Sequence, residues 1–370
     1  MISRVVLGVA LAVVMLLVGP STYVYLSSKT SKIAAPPAKP TAATPRAQAV
    51  SLPGTMYIAQ SGAIYSLAAG RFHQLTAEGG WTQPSLSPDG SVLLAVKQTP
   101  LYSDVYVLNL YGTVVRKVTS NAAPPRLSFD TGQNHWSFYP RLSADQKTLW
   151  MAYDKPKFGY DVVLSIWAMP YTGTIAQGRL WTNAADYAGG DVQPLPVGGG
   201  VIYTKYDYGP DEKLVGRLWY TNRAYGAGKP LTDPAEDCRN PALSPDGRQV
   251  AMVCTYEKQV SYLTVASWNG STLGPRRTLI SNQLVAQPVW APDSSGIAYL
   301  APGVGAGPFQ LWFLPRAAYA PPPVPTPTPT PGGPHNGMLP TPAAAPPPVV
   351  KPIQITTNNG FDATSPIAWR

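Results

Sequence analysis

The residues best suited to chemistry in this chain are aromatic side chains interleaved with charges, a mixture that suits recognition. Between Asn121 and Tyr139 lie Arg126, Asp130, His135, Trp136, Phe138 and Tyr139, and Lys155, Lys157, Phe158 and Tyr160 follow. Further along come Asp186, Tyr187 and Asp191, then Tyr206, Asp207, Tyr208, Asp211 and Glu212, then Glu236, Asp237 and Arg239. We take His135, Trp136, Tyr139, Phe158, Tyr160, Tyr187 and Tyr208 as candidate binding residues. The same aromatics suit either a protein or peptide partner or the stacking of sugar rings from a carbohydrate or cell-envelope polymer. A metal-dependent hydrolase or lactonase instead needs carboxylates converging on one point, and Asp186, Asp191 and Asp207 are the candidates, although no spacing joins them. Histidine is confined to His73, His135 and His335, and neither a GxSxG nor an HExxH pattern occurs. The sequence therefore assigns no catalytic residue, no metal ligand and no cofactor.

These residues lie in stretches that connect copies of a repeat. The clearest copy is NPALSPDGRQVAMVCT at residues 240 to 255. Ser244-Pro245-Asp246-Gly247 has the order of a type I turn, flanked by apolar runs that read as the two strands of a hairpin. Related stretches begin at Thr82, Phe138 and Ala286, with a worn copy at Asp191. The repeated aspartates Asp89, Asp145, Asp246 and Asp293 are read as turn formers. After each hairpin a third strand carries an aromatic or branched pair, and a short fourth strand ends in a pattern such as x-L-T. Four strands per repeat of about 40 to 50 residues is the mark of a β-propeller blade.

Prolines open the first strands at Pro84, Pro140, Pro194, Pro241, Pro288 and Pro366. A proline recurring there implies an edge, because it has no N–H for a ladder on that side, and the innermost strand of a blade is such an edge. The sixth repeat holds only its first strand, and its three missing strands are found at Thr55, Ala63 and Arg71. The expected fold is thus an all-β propeller of six four-stranded antiparallel blades, closed by pairing the N-terminal strands with the C-terminal one. In this register the loops from strand two to strand three and from blade to blade share one mouth of the channel, and the Ser-Pro-Asp-Gly turns share the other.

Two cysteines, Cys238 and Cys254, are too few for a disulfide scaffold. A hairpin centred on Asp246 sets them opposite one another, within reach of a bridge, and a bulge in either strand is expected to spoil that register. A bridge and two buried thiols both remain open.

Five of the 28 basic side chains, and none of the 19 acids, fall in the first 50 residues, which leaves 23 against 19 for the rest. A surface so mildly basic, with no dense Lys/Arg stripe, sets nucleic acid aside. Residues 1 to 26 form an apolar run of membrane-spanning length and are expected to be a transmembrane signal-anchor, with a cleaved signal peptide as the alternative. Residues 27 to 53 are a Pro/Ala-rich linker, residues 54 to 370 the propeller, and residues 320 to 351 a proline-rich insertion within it. Either form of leader places the propeller outside the cytoplasm, in the periplasm or at the cell surface.

The LSPDG turn after a proline-led strand, the IAF-like and IYVM-like strands and the closing x-L-T together resemble the TolB-type, WD40-like propeller repeat across residues 54 to 370. The resemblance implies the six-bladed propeller fold, while the aromatic loop mouth and the missing site residues point to a non-catalytic propeller that binds a protein or peptide partner. In TolB an α/β domain precedes the propeller, whereas here an anchor and linker occupy that place. Similar repeats precede prolyl-oligopeptidase-like hydrolase domains.

Overall fold

The computed structural model describes residues 52–127, 130–157, 162–182, 190–209, 212–255, 260–281, 283–305, 307–319 and 351–370. The expected anchor, nearly all of the linker and most of the proline-rich insertion lie outside the described residues. Among the described residues no helix is long and apolar enough to cross a membrane.

The strands form six four-stranded antiparallel sheets. Blade 1 comprises Trp81–Leu86, Leu93–Gln98, Ser103–Leu108 and Val114–Lys117, and blade 2 Ser137–Leu142, Thr148–Tyr153, Ser165–Pro170 and Arg179–Leu180. Blades 3, 4 and 5 begin with the inner strands Asp191–Val197, Cys238–Leu243 and Ala286–Trp290. In blade 5 the fourth strand, Ile353–Gln354, pairs with Phe309–Pro315 across the proline-rich insertion. Blade 6 takes Thr55–Gln60, Ala63–Ala68 and Arg71–Gln74 from the start of the propeller and its inner strand, Ala368–Trp369, from the end. Ala368 lies opposite Tyr57, and Thr55 donates its N–H to the Arg370 carbonyl at 2.8 Å.

Sequence pattern follows position within a blade. Second strands such as Thr148–Tyr153 and Gln249–Cys254 are covered on both faces by neighbouring blades, so they read as unbroken apolar runs. Outermost strands such as Arg71–Gln74 face water throughout. The core is correspondingly a series of interblade layers. One joins Val253, Leu263 and Val265 of blade 4 to Ile297, Tyr299 and Leu314 of blade 5.

Each x-L-T pattern has a defined task. Thr76, Thr119, Thr182, Thr232 and Thr356 each accept, on Oγ1 at 3.0 Å, the backbone N–H of a buried third-strand residue, or its counterpart in blade 6 (Ile64, Val105, Ile166, Leu218 and Leu311). The residue before each threonine donates its own N–H to the carbonyl of that same partner. The hydroxyl thus replaces a ladder bond where the short fourth strand runs out.

The inner strands are not regular. Gln83, Tyr139, Gln193, Asn240 and Gln287, each just before a proline, have φ between 49° and 56°, and the strand register shifts by one at each. These are β-bulges, placed where the proline has no N–H to lose from a ladder. In blade 4 the bulge overturns one expectation. Pairing beside the turn, Leu243 with Val250, is centred between Asp246 and Gly247, which by itself would misalign the cysteines. The extra residue at Asn240-Pro241 shifts the register back, so Cys238 lies opposite Cys254 and the two are joined as a disulfide. The bulge creates the alignment it was expected to spoil.

Candidate binding face and central channel

A meander of four antiparallel strands puts its second-to-third connection and its exit to the next blade on one side, here called the rim. Among the described residues, eleven large apolar side chains are exposed, and six of them (Leu101, Val162, Tyr208, Leu214, Leu284 and Val304) belong to rim loops or strand ends. The other five divide between outer strands (Phe72, Val114 and Val115) and the opposite turns (Tyr111 and Tyr225), so the rim carries the largest share. Tyr208 is 59% exposed, Leu284 50% and Val304 86%.

Below the rim, the loop between blades 1 and 2 is held by a charged cluster. His135 Nδ1 lies 2.7 Å from Asp154 Oδ1, and Lys157 Nζ lies 2.8 Å from Asp154 Oδ2. Asp154 is fully buried, and both of its oxygens are engaged. Lys157 also donates to the Asn134 carbonyl, and the His135 ring lies 5.5 Å from that of Tyr153. The cluster fixes the loop in place and leaves His135 half-buried at its edge. Nearby, the wholly buried Asn121 binds Ser103 and Ser137, tying the blade 1 exit to the first strand of blade 2.

The candidate aromatics occupy three different situations. Trp136 is stacked on Phe138, with ring centres 5.9 Å apart and planes 16° apart, and both pack against the layer between blades 2 and 3. Tyr139 lies inside the channel, where burial raises its hydroxyl pKa. Tyr208 stands free at the tip of its hairpin. Phe158, Tyr160 and Tyr187 lie outside the described residues.

The channel has two funnels and a neck. The upper funnel, about 320 Å³, opens on the rim and is lined by Tyr206, Arg239, Leu284 and Phe309 among others. Burial raises the Tyr206 pKa, against the opposing charge of Arg239. Arg239 also bonds Thr255 at 2.7 Å and lies 3.6 Å from Asp237. The neck is built by the residues that precede the six prolines. Tyr139 donates its N–H to Gln83 Oε1 at 2.7 Å, Asn240 donates to Gln193 Oε1 at 3.0 Å, and Gln83 donates to Ser365 Oγ at 2.8 Å. Gln287 Nε2 reaches the Ala363 carbonyl at 3.1 Å. Each left-handed backbone thus turns an N–H or side chain across the gap to a neighbouring blade. Sequence reasoning found the prolines and passed over these residues except Tyr139, which it placed among the loops of the mouth. Aligning the repeats on the prolines reveals the signal: Gln, Tyr, Gln, Asn, Gln and Ser are all capable of hydrogen bonding.

Of the carboxylates considered for a metal, Asp191 is buried and pairs with Lys205 at 3.2 Å, and burial raises its pKa against the pull of that ammonium. Asp207 accepts the N–H of Tyr208, and Asp186 lies outside the described residues. Among the described residues no three His, Cys, Asp or Glu side chains are grouped so as to hold a metal. The turn aspartates behave as expected for turn formers. Asp89, Asp145 and Asp246 accept from Ser87, Ser143 and Ser244 at 2.6, 2.6 and 2.5 Å, and Asp293 accepts the N–H of Ser295.

No protein-family model matches the sequence, and no curated protein matches it. Solved structures do match. TolB from Acinetobacter baumannii aligns at a TM-score of 0.53 and 16% identity, over 72% of this chain and 62% of that one. The chain therefore spans somewhat less than two thirds of that protein. A putative TolB from Agrobacterium tumefaciens aligns at a TM-score of 0.51 and 15% identity, over 84% of this chain and 91% of that one. A puromycin-hydrolyzing peptidase from Mycobacterium tuberculosis aligns at a TM-score of 0.44 and 12% identity, over 71% of this chain and 45% of that one. At such identities the likeness is one of fold: this chain is an all-β, six-bladed propeller whose structural neighbours include TolB proteins.

Proposed function

We propose that this is a non-catalytic, membrane-anchored propeller outside the cytoplasm that binds a protein or peptide partner at its rim. The observation that carries the reading is that this face holds the largest share of the exposed apolar side chains, with Leu284 at a funnel edged by Tyr206 and Arg239. Six blades locked through the neck hold the rim loops rigidly, so a partner meets a preformed surface at little ordering cost. Residues 1 to 26 would anchor the chain and the linker would hold the propeller off the membrane. The Cys238–Cys254 bridge supports an oxidising compartment. A protein partner is favoured over sugar stacking because Trp136 and Phe138 are stacked on each other and Tyr139 lies in the neck.

The test is site-specific photo-cross-linking of the full-length anchored protein in its host. A photoreactive residue at Leu284 or Tyr208 should capture one discrete protein, and the same residue at Tyr111, on the opposite face, should capture none. Discrete capture from neither rim position, or equal capture from Tyr111, would refute the reading.

A further inference from the structure

The lower funnel opens among the Ser-Pro-Asp-Gly turns and shares Tyr139, Gln193, Asn240 and Gln287 of the neck with the upper one. It encloses about 350 Å³, and beside the polar residues of the neck its wall holds prolines from the inner strands and turns and two tryptophans, Trp290 and Trp369. One charged side chain enters this wall, Arg141, from the inner strand of blade 2. No carboxylate lines the funnel, and among the described residues the Arg141 guanidinium has no hydrogen-bond or ion-pair partner. Five other cations around the ring meet carboxylates. Lys117 meets Asp104, Lys157 meets Asp154, Lys205 meets Asp191, Arg239 meets Asp237 and Arg276 meets Glu236. Desolvation with no offsetting anion lowers the Arg141 pKa to about 10.

Position in the repeat shows that this is no structural requirement of the blade. The residue following the inner-strand proline is Ser85, Leu195, Ala242, Val289 and Ile367 in the other blades, all small or apolar. Folding needs no cation at this place, and Arg141, half-buried, reaches into the funnel. A guanidinium offers a planar fork matched to a carboxylate, and a single such charge suits a monoanion better than a phosphate dianion. The prolines and the two tryptophans suit an apolar body that carries it, and the volume lies in the range of small-ligand sites.

We infer that the lower funnel binds an apolar monocarboxylate, its carboxylate on Arg141 and its body against the prolines and tryptophans. The site is independent of the rim and stands whether or not a protein binds there. The carboxylate can come from a free small acid or from the carboxy terminus of a peptide.

Isothermal titration of the full-length protein tests the inference with two pairs of probes. One pair is 4-phenylbutyrate and its neutral amide, and the other is acetyl-Pro-Pro-Leu with a free and with an amidated terminus. At least one acid should bind with a Kd below about 1 mM, and at least about tenfold tighter than its amide, as a charge-assisted contact requires. The tighter-binding pair identifies the source of the carboxylate. In Arg141→Met the preference for the acid should vanish while the amide binds as before, and the variant should melt no lower than the wild type because it loses an unpaired charge. Failure of both acids to bind, equal binding of acid and amide, or an acid preference that survives Arg141→Met would overturn the proposal. Equal binding of acid and amide by the wild type refutes the proposal even without the variant.

Discussion

The neck depends on individual side chains in backbone conformations that L-residues seldom adopt. Each non-glycine residue held at positive φ costs on the order of 1–3 kcal/mol unless its surroundings compensate, and the hydrogen bonds across the neck are that compensation. Gln83 is at once donor to Ser365 and acceptor from Tyr139. Gln83→Ala should therefore leave the Tyr139 N–H unpaired and lower stability by about 1–3 kcal/mol in chemical denaturation; a loss within experimental error would mean that water fills the gap. The turn aspartates make a second prediction. Serine hydrogen bonds hold the carboxyl pKa values of Asp89, Asp145, Asp246 and, through Ser295, Asp293 below the ordinary carboxylate range. A depressed folded-state pKa gives stability that is present above the unfolded value of about 4 and is lost as pH falls through the folded value. The combined Asp→Asn variant at these four positions should melt lower than the wild type at pH 6, and the gap should narrow steadily towards pH 2. A constant gap would mean that the charge contributes nothing.

At the scale of the element, the threonine clasps and the bulges show what was legible in the sequence. Strand order, the serine-aspartate turns and the shared blade were all written in residue types whose local physics is strong: proline at an edge, glycine closing a turn, apolar runs in doubly covered strands. The x-L-T ending was visible as a pattern, but its meaning was not, because a hydroxyl accepting from the neighbouring strand is a tertiary event. Thr232→Val, which keeps the shape and removes the acceptor, should cost about 1–3 kcal/mol by leaving the buried Leu218 N–H unsatisfied. Thr232→Ser should recover most of it. Equal melting of Val and Ser variants would reduce the clasp to packing. The bulge escaped detection for a different reason. Counting residues from the turn assumes one residue opposite one, and Asn240-Pro241 facing Met252 breaks that count. Likewise Tyr139, sought at the rim on the strength of its neighbours, sits in the neck because the bulge redirects it.

The whole ring depends on one narrow seam. The pairing of Ala368–Trp369 with Thr55–Gln60 is short, and the contacts around it, from Ser365 to Gln83 and from Trp369 to the Pro53 carbonyl, tie opposite ends of the propeller. Removing residues 361 to 370 should lower the melting temperature, broaden the transition and bring concentration-dependent association, since the inner edge of Thr55–Gln60 is then bare. Light scattering and thermal unfolding report both effects, and an unaltered monomeric transition would show that the ring holds without its clasp. The seam also sets a schedule. The contact from Trp369 to Pro53 spans 316 residues, so the strand made first receives its inner neighbour only when nearly all of the chain has emerged. As the chain is made, five blades can assemble in turn while the sixth waits with an open edge. The propeller is therefore finished by its last few residues, and an arrest in synthesis just short of them leaves an adhesive particle rather than a slightly shorter propeller.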